Sequence, residues 1–375
     1  MDSHIKKMEI KPTENQKDAN QQEVQDRLHM FDCQGHKFTV DKKYRFQEFL
    51  GYGIDGPECL VLDKNSNQLL AIKKIQNLFD NLFYARETVR EICLTRFLDH
   101  ENILKTVDIM QSETETGSQN VYVVTEFLEA SLRQIIFSPQ PLSNAHVQFF
   151  MYQILRGLLY LHSTGLIHRA FRSEVLLVNQ QCDLKISRFR FAKPSQKKTG
   201  VDSEYISNRY YMSPEMLLGY QDTQAMDIWA AGCILGELLG RRVLFPGRDH
   251  QHQIQTIFGV TGTPEEGDFG LEIGQRVQKF LQNLPKTNKT PWNNLFPQAD
   301  PMALDLLDNM LNINPKKRFT AFECLKHPYF EDIHDISDEP ICKEKFFWDY
   351  QDSSKPTRAS LQIVLDEEIQ KIHPS

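Results

Sequence analysis

YLHSTGLIHRAFRSEVLLVNQQCDLKISRFRFA, residues 160–192, is the run on which the reading of the fold turns. Its first residues complete a helical repeat. Val147, Phe150, Met151, Ile154, Leu155, Leu158 and Leu161 recur at helical spacing behind Ser143, a residue type that caps helix starts. Two short apolar runs follow, at 175–178 and 184–186, and read as strands. Helical segments then dominate to about Phe330. Upstream the character is the opposite. Residues 46–50, 59–62, 69–75 and 121–127 read as strands broken by Gly- or Asn-rich turns, with one helix over 85–98. The change comes after Glu129, so a small β-rich lobe precedes a larger helical one, with the seam near Leu128. Residues 1–40 are polar and lack sustained apolar periodicity, which reads as a mobile arm. No internal repeat is visible.

Composition narrows the classes. With 375 residues the chain suits two lobes or two domains, and 24 Phe and 12 Tyr argue against a mostly disordered chain. The longest apolar run, residues 228–239, contains Glu237 and is too short to span a bilayer. No charged and apolar leader opens the chain, so no secretory signal is read. Seven cysteines without a CxxC pair read as free thiols in a reducing compartment. A net charge of −7 supplies no basic footprint for nucleic acid. A cytoplasmic or nuclear protein without membrane insertion is the expectation.

Chemistry enters with GYGIDG, in which Gly51, Gly53 and Gly56 form a GxGxxG loop. A dinucleotide-binding turn would open a helix. Here the next segment, 59–62, is strand-like, so a flap between two strands fits better, its missing side chains letting backbone approach phosphates. Lys73 ends the run Leu70-Ala71-Ile72-Lys73, and Glu91 lies on the following helix. Taken alone, Lys73 also reads as a solvated strand end. Together the two resemble the phosphate-gripping lysine and helix glutamate of protein kinases. The resemblance continues through residues 160–192, through Tyr211-Met212-Ser213-Pro214-Glu215 and through Asp227-Ile228-Trp229. Further likeness lies in HENI (100–103), SEY (203–205), LFPG (244–247), PWNNLFPQAD (291–300) and SDEP (337–340), and it points to mitogen-activated protein kinases of the extracellular-signal-regulated type.

The resemblance implies an α+β, two-lobed protein-kinase-like fold, with a small β-rich N-lobe over 41–128 and a mainly helical C-lobe over 129–335. A family insert is expected near 261–295 and a C-terminal extension over 336–375. It implies nucleotide-binding candidates at Gly51, Gly53, Gly56, Lys73, Glu91, Glu126 and Leu128. Glu215 with Arg318, and Asp227, match structural residues of the family. Ser203 and Tyr205 match a dual phosphorylation motif. Arg90, Arg169, Lys193 and Arg209 match phosphate-reading cations, while Met212 stands where a second arginine is usual. Asp335 and Asp338 match paired acids that dock basic peptides. The implied partners are cascade proteins: upstream kinases, phosphatases and substrates.

The departures bear on chemistry. Ala170 stands where the family has its catalytic base, and a methyl group accepts no proton. Val175 and Arg188 stand at the two metal-ligand positions, and neither coordinates magnesium. Arg190 replaces the following glycine. Glu58 takes the place of a valine, where it must reach solvent or a partner, and Pro57 stiffens the flap. Arg188 is able to compete with Lys73 for Glu91, and Arg188 and Arg190 are expected either to neutralise phosphate in place of magnesium or to fill the site by pairing with Glu91. The sequence expectation is therefore a catalytically inactive adaptor, scaffold or decoy. No catalytic residue, no metal and no cofactor is expected, unless ATP binds without magnesium. The alternatives are an active or residually active Ser/Thr kinase and a nucleotide-sensing module that binds ATP without transfer.

Overall fold

A computed structural model describes residues 27–53, 55–114, 117–195, 209–265, 267–269, 274–348 and 356–374. The chain divides into two compact units. One comprises 1–85, 106–127 and 362–375, and the other 86–105 and 128–361.

The first unit is built on an antiparallel sheet. A hairpin of β1 (Leu28–Cys33) and β2 (His36–Asp41) precedes β3 (Tyr44–Gly53), β4 (Gly56–Asp63), β5 (Leu69–Ile75), β6 (Thr106–Glu113) and β7 (Gln119–Glu126). The last five pair in the order β3-β4-β5-β7-β6. In β5 the alternation is plain, since Leu70 and Ile72 are buried and Leu69 and Lys73 face outward to differing degrees. Phe38, Val40, Tyr44, Val61, Ile72 and Tyr122 close one core.

The reading of 1–40 as a mobile arm is corrected for its last third. Gln34 and Gly35 both take positive φ, 50° and 85°, the turn that matches strand twist in a two-residue hairpin. Phe31 stacks on Phe38 with centroids 5.3 Å apart and meets Phe46 at 5.1 Å. Those rings give 28–41 a buried face that its polar composition conceals.

The second unit is helical. It takes most of α1 (Leu82–Phe97), then α2 (Leu132–Ile136), α3 (Asn144–Ser163), α4 (Pro214–Leu217), α5 (Ala225–Gly240), α6 (His250–Thr261), α7 (Gln275–Gln282), α8 (Trp292–Leu295), α9 (Pro301–Met310), α10 (Ala321–Leu325) and the start of α11 (Arg358–Ile372). Short strands β8 (Ala130–Ser131), β10 (Leu176–Val178) and β11 (Leu184–Ile186) form one small sheet, and β9 (Leu166–Ile167) pairs with β12 (Lys193–Pro194). Ser143 caps α3 as its sequence predicts, accepting from the His146 amide. The apolar run 228–239 is the buried centre of α5, where Trp229 and Ile234 are fully covered. Each such side chain contributes about 1.5–3 kcal/mol by leaving water. Arg241, in left-handed backbone at φ 54°, ends the helix.

The unit boundaries differ from the expected seam. Residues 86–105 pack with the helical unit, because Leu94, Leu98 and Ile103 join its core. Residues 362–375 return to the sheet unit, where Gln111 Nε2 donates to Asp366 Oδ1 at 3.0 Å and His373 Nε2 lies 2.7 Å from Asp108 Oδ1. None of the seven cysteines forms a disulfide. Cys33, Cys59, Cys233 and Cys324 are buried, and Cys93, Cys182 and Cys342 are half-buried. Among the described residues no helix is long and apolar enough to cross a membrane.

Candidate active site

In the sheet unit, β3 and β4 pair as far as Gly53 and Gly56, so the glycine-rich segment is a tight hairpin tip. A Cβ on Gly56 (φ 141°) would lie 2.3 Å from the Lys74 carbonyl oxygen, so only glycine lets the returning strand press on β5. Glu58 is opposite Lys73 in the β4–β5 register, which puts both side chains on one face. Its carboxylate folds back over Gly53, where a Cβ would lie 2.3 Å from Oε1.

Lys73 Nζ donates to Asp55 Oδ2 at 2.7 Å, and Tyr84 OH donates to Asp55 Oδ1 at 2.9 Å. Asp55 and Tyr84 were not singled out by sequence reasoning. The acid at the tip, between Gly53 and Gly56, was legible. Tyr84 carried no signal, because its role depends on where α1 begins. Glu126 is half-buried at the end of β7, and Leu128 is buried two residues on, in the other unit.

In the helical unit, the segment after β9 is held from below by α5. Asp227 accepts from the amides of His168 (2.8 Å) and Arg169 (3.0 Å), and His162 Nε2 lies 3.0 Å from it. This anchoring holds Arg169 at a φ of 67°, which a non-glycine residue adopts at some cost. His168 Nε2 donates to the Ser187 carbonyl at 3.0 Å, its ring lies 5.1 Å from that of Phe189, and burial holds its pKa down. It is a core histidine, as expected.

Ala170 and Val175 are both buried. Arg188 has a left-handed φ of 63° and is exposed. A divalent ion needs oxygen ligands, and these three positions supply no side-chain oxygen. Magnesium therefore does not fit the residues present, and no step is routed through it.

Of the two arginines anticipated at Glu91, Arg190 is the one that pairs with it. Arg190 Nε lies 3.8 Å from Glu91 Oε2, and Arg190 Nη2 donates to Thr88 Oγ1 at 3.3 Å. Arg90 donates to Glu87 and to the Arg190 carbonyl oxygen. The side chain at 190 is buried along α1 while that at 188 turns outward, so the two arginines, expected to act alike, differ in placement.

The phosphate-reading candidates are dispersed among other contacts. Burial pushes the Arg90 guanidinium down, opposed by Glu87. Arg169 Nε lies 2.7 Å from Asp222 Oδ2, Lys193 sits on β12 opposite Ile167, and Arg209 Nε donates to the Gly247 carbonyl at 3.0 Å. Ser203 and Tyr205 lie outside the described residues. Glu215 and Arg318 form a bidentate buried pair at 2.6 and 3.0 Å, with the Arg318 guanidinium 5.0 Å from the Trp229 ring centroid. Asp335 Oδ1 accepts from the Ser337 amide and hydroxyl at 2.8 and 2.6 Å, and Asp338 Oδ1 lies 3.0 Å from Arg156 Nη2.

One cluster had no sequence signal. Glu237 of α5 accepts from Ser173 Oγ at 2.9 Å and from Tyr211 OH at 2.9 Å. It ties the segment after Ala170 to the residues before Pro214. Burial pushes the Glu237 carboxyl up to about 7 and the Tyr211 phenol upward as well.

The protein kinase domain family matches residues 44–330. Mitogen-activated protein kinase 5 of Oryza sativa subsp. indica is 41% identical over 343 residues, covering 91% of this chain and 93% of the relative. Mitogen-activated protein kinase 3 of Arabidopsis thaliana is 40% identical, covering 90% of this chain and 92% of the relative. Extracellular signal-regulated kinase 1 of Dictyostelium discoideum is 40% identical, over 91% of this chain and 64% of the relative. These relatives are named as kinases, and the match runs through the whole catalytic region. That finding overturns the expectation of a catalytically inactive adaptor, scaffold or decoy and backs its alternative, an active or residually active kinase.

Proposed function

The chain belongs to the mitogen-activated protein kinases, within the protein kinase family, and from that premise we propose that it transfers the γ-phosphoryl group of ATP to serine or threonine. The observation that carries this reading is 41% identity over nine-tenths of the chain to a protein named a kinase. The glycine hairpin and Lys73 support it as the phosphate-holding part, with Glu126 and Leu128 at the nucleotide. The substrate hydroxyl oxygen bonds to the γ-phosphorus, the bond to the β–γ bridging oxygen breaks, ADP leaves, and the hydroxyl proton passes to solvent. With Ala170 no carboxylate takes that proton, so the rate lacks a factor of about 10²–10⁴ that general-base assistance supplies. With no side-chain oxygen at 170, 175 and 188 to hold an ion, transfer on this reading proceeds without resident magnesium.

On this reading Ser203 and Tyr205 accept phosphate from an upstream kinase. Arg90, Arg169, Lys193 and Arg209 respond to it after exchanging their present partners. Phosphatases, upstream kinases and substrates dock basic peptides at Asp335 and Asp338, in the cytoplasm or nucleus.

Transfer of label from γ-³²P-ATP to a basic protein substrate, with and without EDTA, tests the proposal. Slow transfer that persists in EDTA and is lost in Lys73→Met is expected. Equal incorporation by parent and variant, or none by either, would overturn it.

A further inference from the structure

We propose that Asp55 is a built-in counter-anion for Lys73, one that makes the glycine hairpin discriminate among nucleotides by charge: a nucleoside enters beside it, whereas a nucleoside triphosphate must displace it. The inference rests on the preceding reading only in taking Lys73 as the group that meets phosphate.

Both oxygens of the Asp55 carboxylate are engaged, Oδ2 by Lys73 at 2.7 Å and Oδ1 by Tyr84 OH at 2.9 Å. The Asp55 side chain is only 10% exposed and that of Lys73 24%, so water screens this pair less than a surface pair. The carboxylate arrives there by register rather than by chance. Gly53 pairs with Gly56, which leaves a two-residue tip, and Gly56 presses against the Lys74 carbonyl next to Lys73. Asp55 directly precedes Gly56, so its backbone stays beside β5 while Gly56 packs on the Lys74 carbonyl. Glu58 adds a second acid on the same face, opposite Lys73 in the register. The Lys73 ammonium thus already holds one carboxylate and shares a sheet face with a second acid, so a polyphosphate approaching it meets like charge.

A ligand whose binding-competent state is partly populated loses apparent affinity by that fraction. A hairpin latched for nine-tenths of the time therefore weakens ATP about tenfold and leaves a ligand without phosphates unaffected. Asparagine at 55 keeps the shape and still accepts from Tyr84, yet removes the charge. Glutamate keeps the charge.

The test is calorimetric titration of the full chain with adenosine, ADP and ATP. Asp55→Asn is expected to tighten ATP about tenfold and ADP less, with adenosine changed under twofold. Tyr84→Phe shifts ATP in the same direction by a smaller factor, and Asp55→Glu retains the parent's ranking. The inference is overturned if Asp55→Asn leaves ATP affinity unchanged, if adenosine tightens equally, or if neither parent nor variant binds any of the three. An Asp55→Asn protein that gains ATP affinity and still transfers no phosphate would sink the kinase reading and keep this one.

Discussion

At the residue scale the helical unit is held by ions with no access to water. Arg318 gives two hydrogen bonds to Glu215, one to the Ala225 carbonyl at 2.8 Å and one to the Asn312 carbonyl at 3.0 Å. These four bonds tie Arg318 to three other places in the chain. Arg318→Leu keeps bulk against Trp229 but strands the Glu215 carboxylate, and losing one partner of a buried pair costs about 3–5 kcal/mol. Urea denaturation is expected to show a loss of that size, and a loss below about 1 kcal/mol would mean that Glu215 finds water or another cation. These two residues were legible in the sequence through the family spacing. Which of Arg188 and Arg190 meets Glu91 was not, because spacing places a backbone position and says nothing of which way an arginine turns.

At the scale of elements, the 3₁₀ turn Ile336–Asp338 shows how a docking surface is constrained by its own fold. Asp335 caps the turn, which together with the Ser337 hydroxyl holds its carboxyl below the usual range. Asp338 faces Arg156, which also donates to Glu101. A basic peptide must therefore share Asp338 with Arg156. The double change Asp335→Asn, Asp338→Asn is expected to weaken such a peptide by roughly 1–2 kcal/mol at low salt and less at high salt. Asparagine caps a turn about as well as aspartate, so the melting point is expected to stay nearly unchanged. Fluorescence anisotropy with a labelled peptide measures the first, and equal binding by the double variant would leave these acids as turn formers only.

Strand recognition at this scale depended on unbroken patterning. β3, β4, β5 and β7 were legible from alternation and glycines. β6 was missed because buried Asp108 interrupts its apolar face. That acid is tolerated because Tyr44 OH donates to it at 2.5 Å and Lys43 Nζ lies 2.9 Å away, partners that sequence does not place.

At the scale of the whole molecule, stability is coupled to pH through Glu237. Its folded carboxyl titrates near 7, above the 4.5 of an unburied one. Between those values the folded chain keeps a proton that the unfolded chain releases, so stability falls as pH rises from about 4.5 to 7. The difference is on the order of 3 kcal/mol. Glu237→Gln removes this titration, so denaturation curves of parent and variant are expected to diverge between pH 5 and pH 8, the parent losing more. Parallel curves would place the proton elsewhere. The two-unit plan was legible from the change of pattern after Glu129. The assignment of 86–105 and 362–375 was not, since it follows from packing between segments far apart in the chain.

The placement of the thiols makes the two units separable to a chemist. Both cysteines of the sheet unit, Cys33 and Cys59, are buried and burial pushes their thiols up, whereas the half-buried Cys93, Cys182 and Cys342 all belong to the helical unit. An alkylating reagent at neutral pH thus marks α1, the β10–β11 turn and the segment after Pro340 from the folded chain, and reaches the sheet unit only when that unit opens. The molecule carries its own pair of clocks, one running in the native state and one started by local unfolding of the sheet.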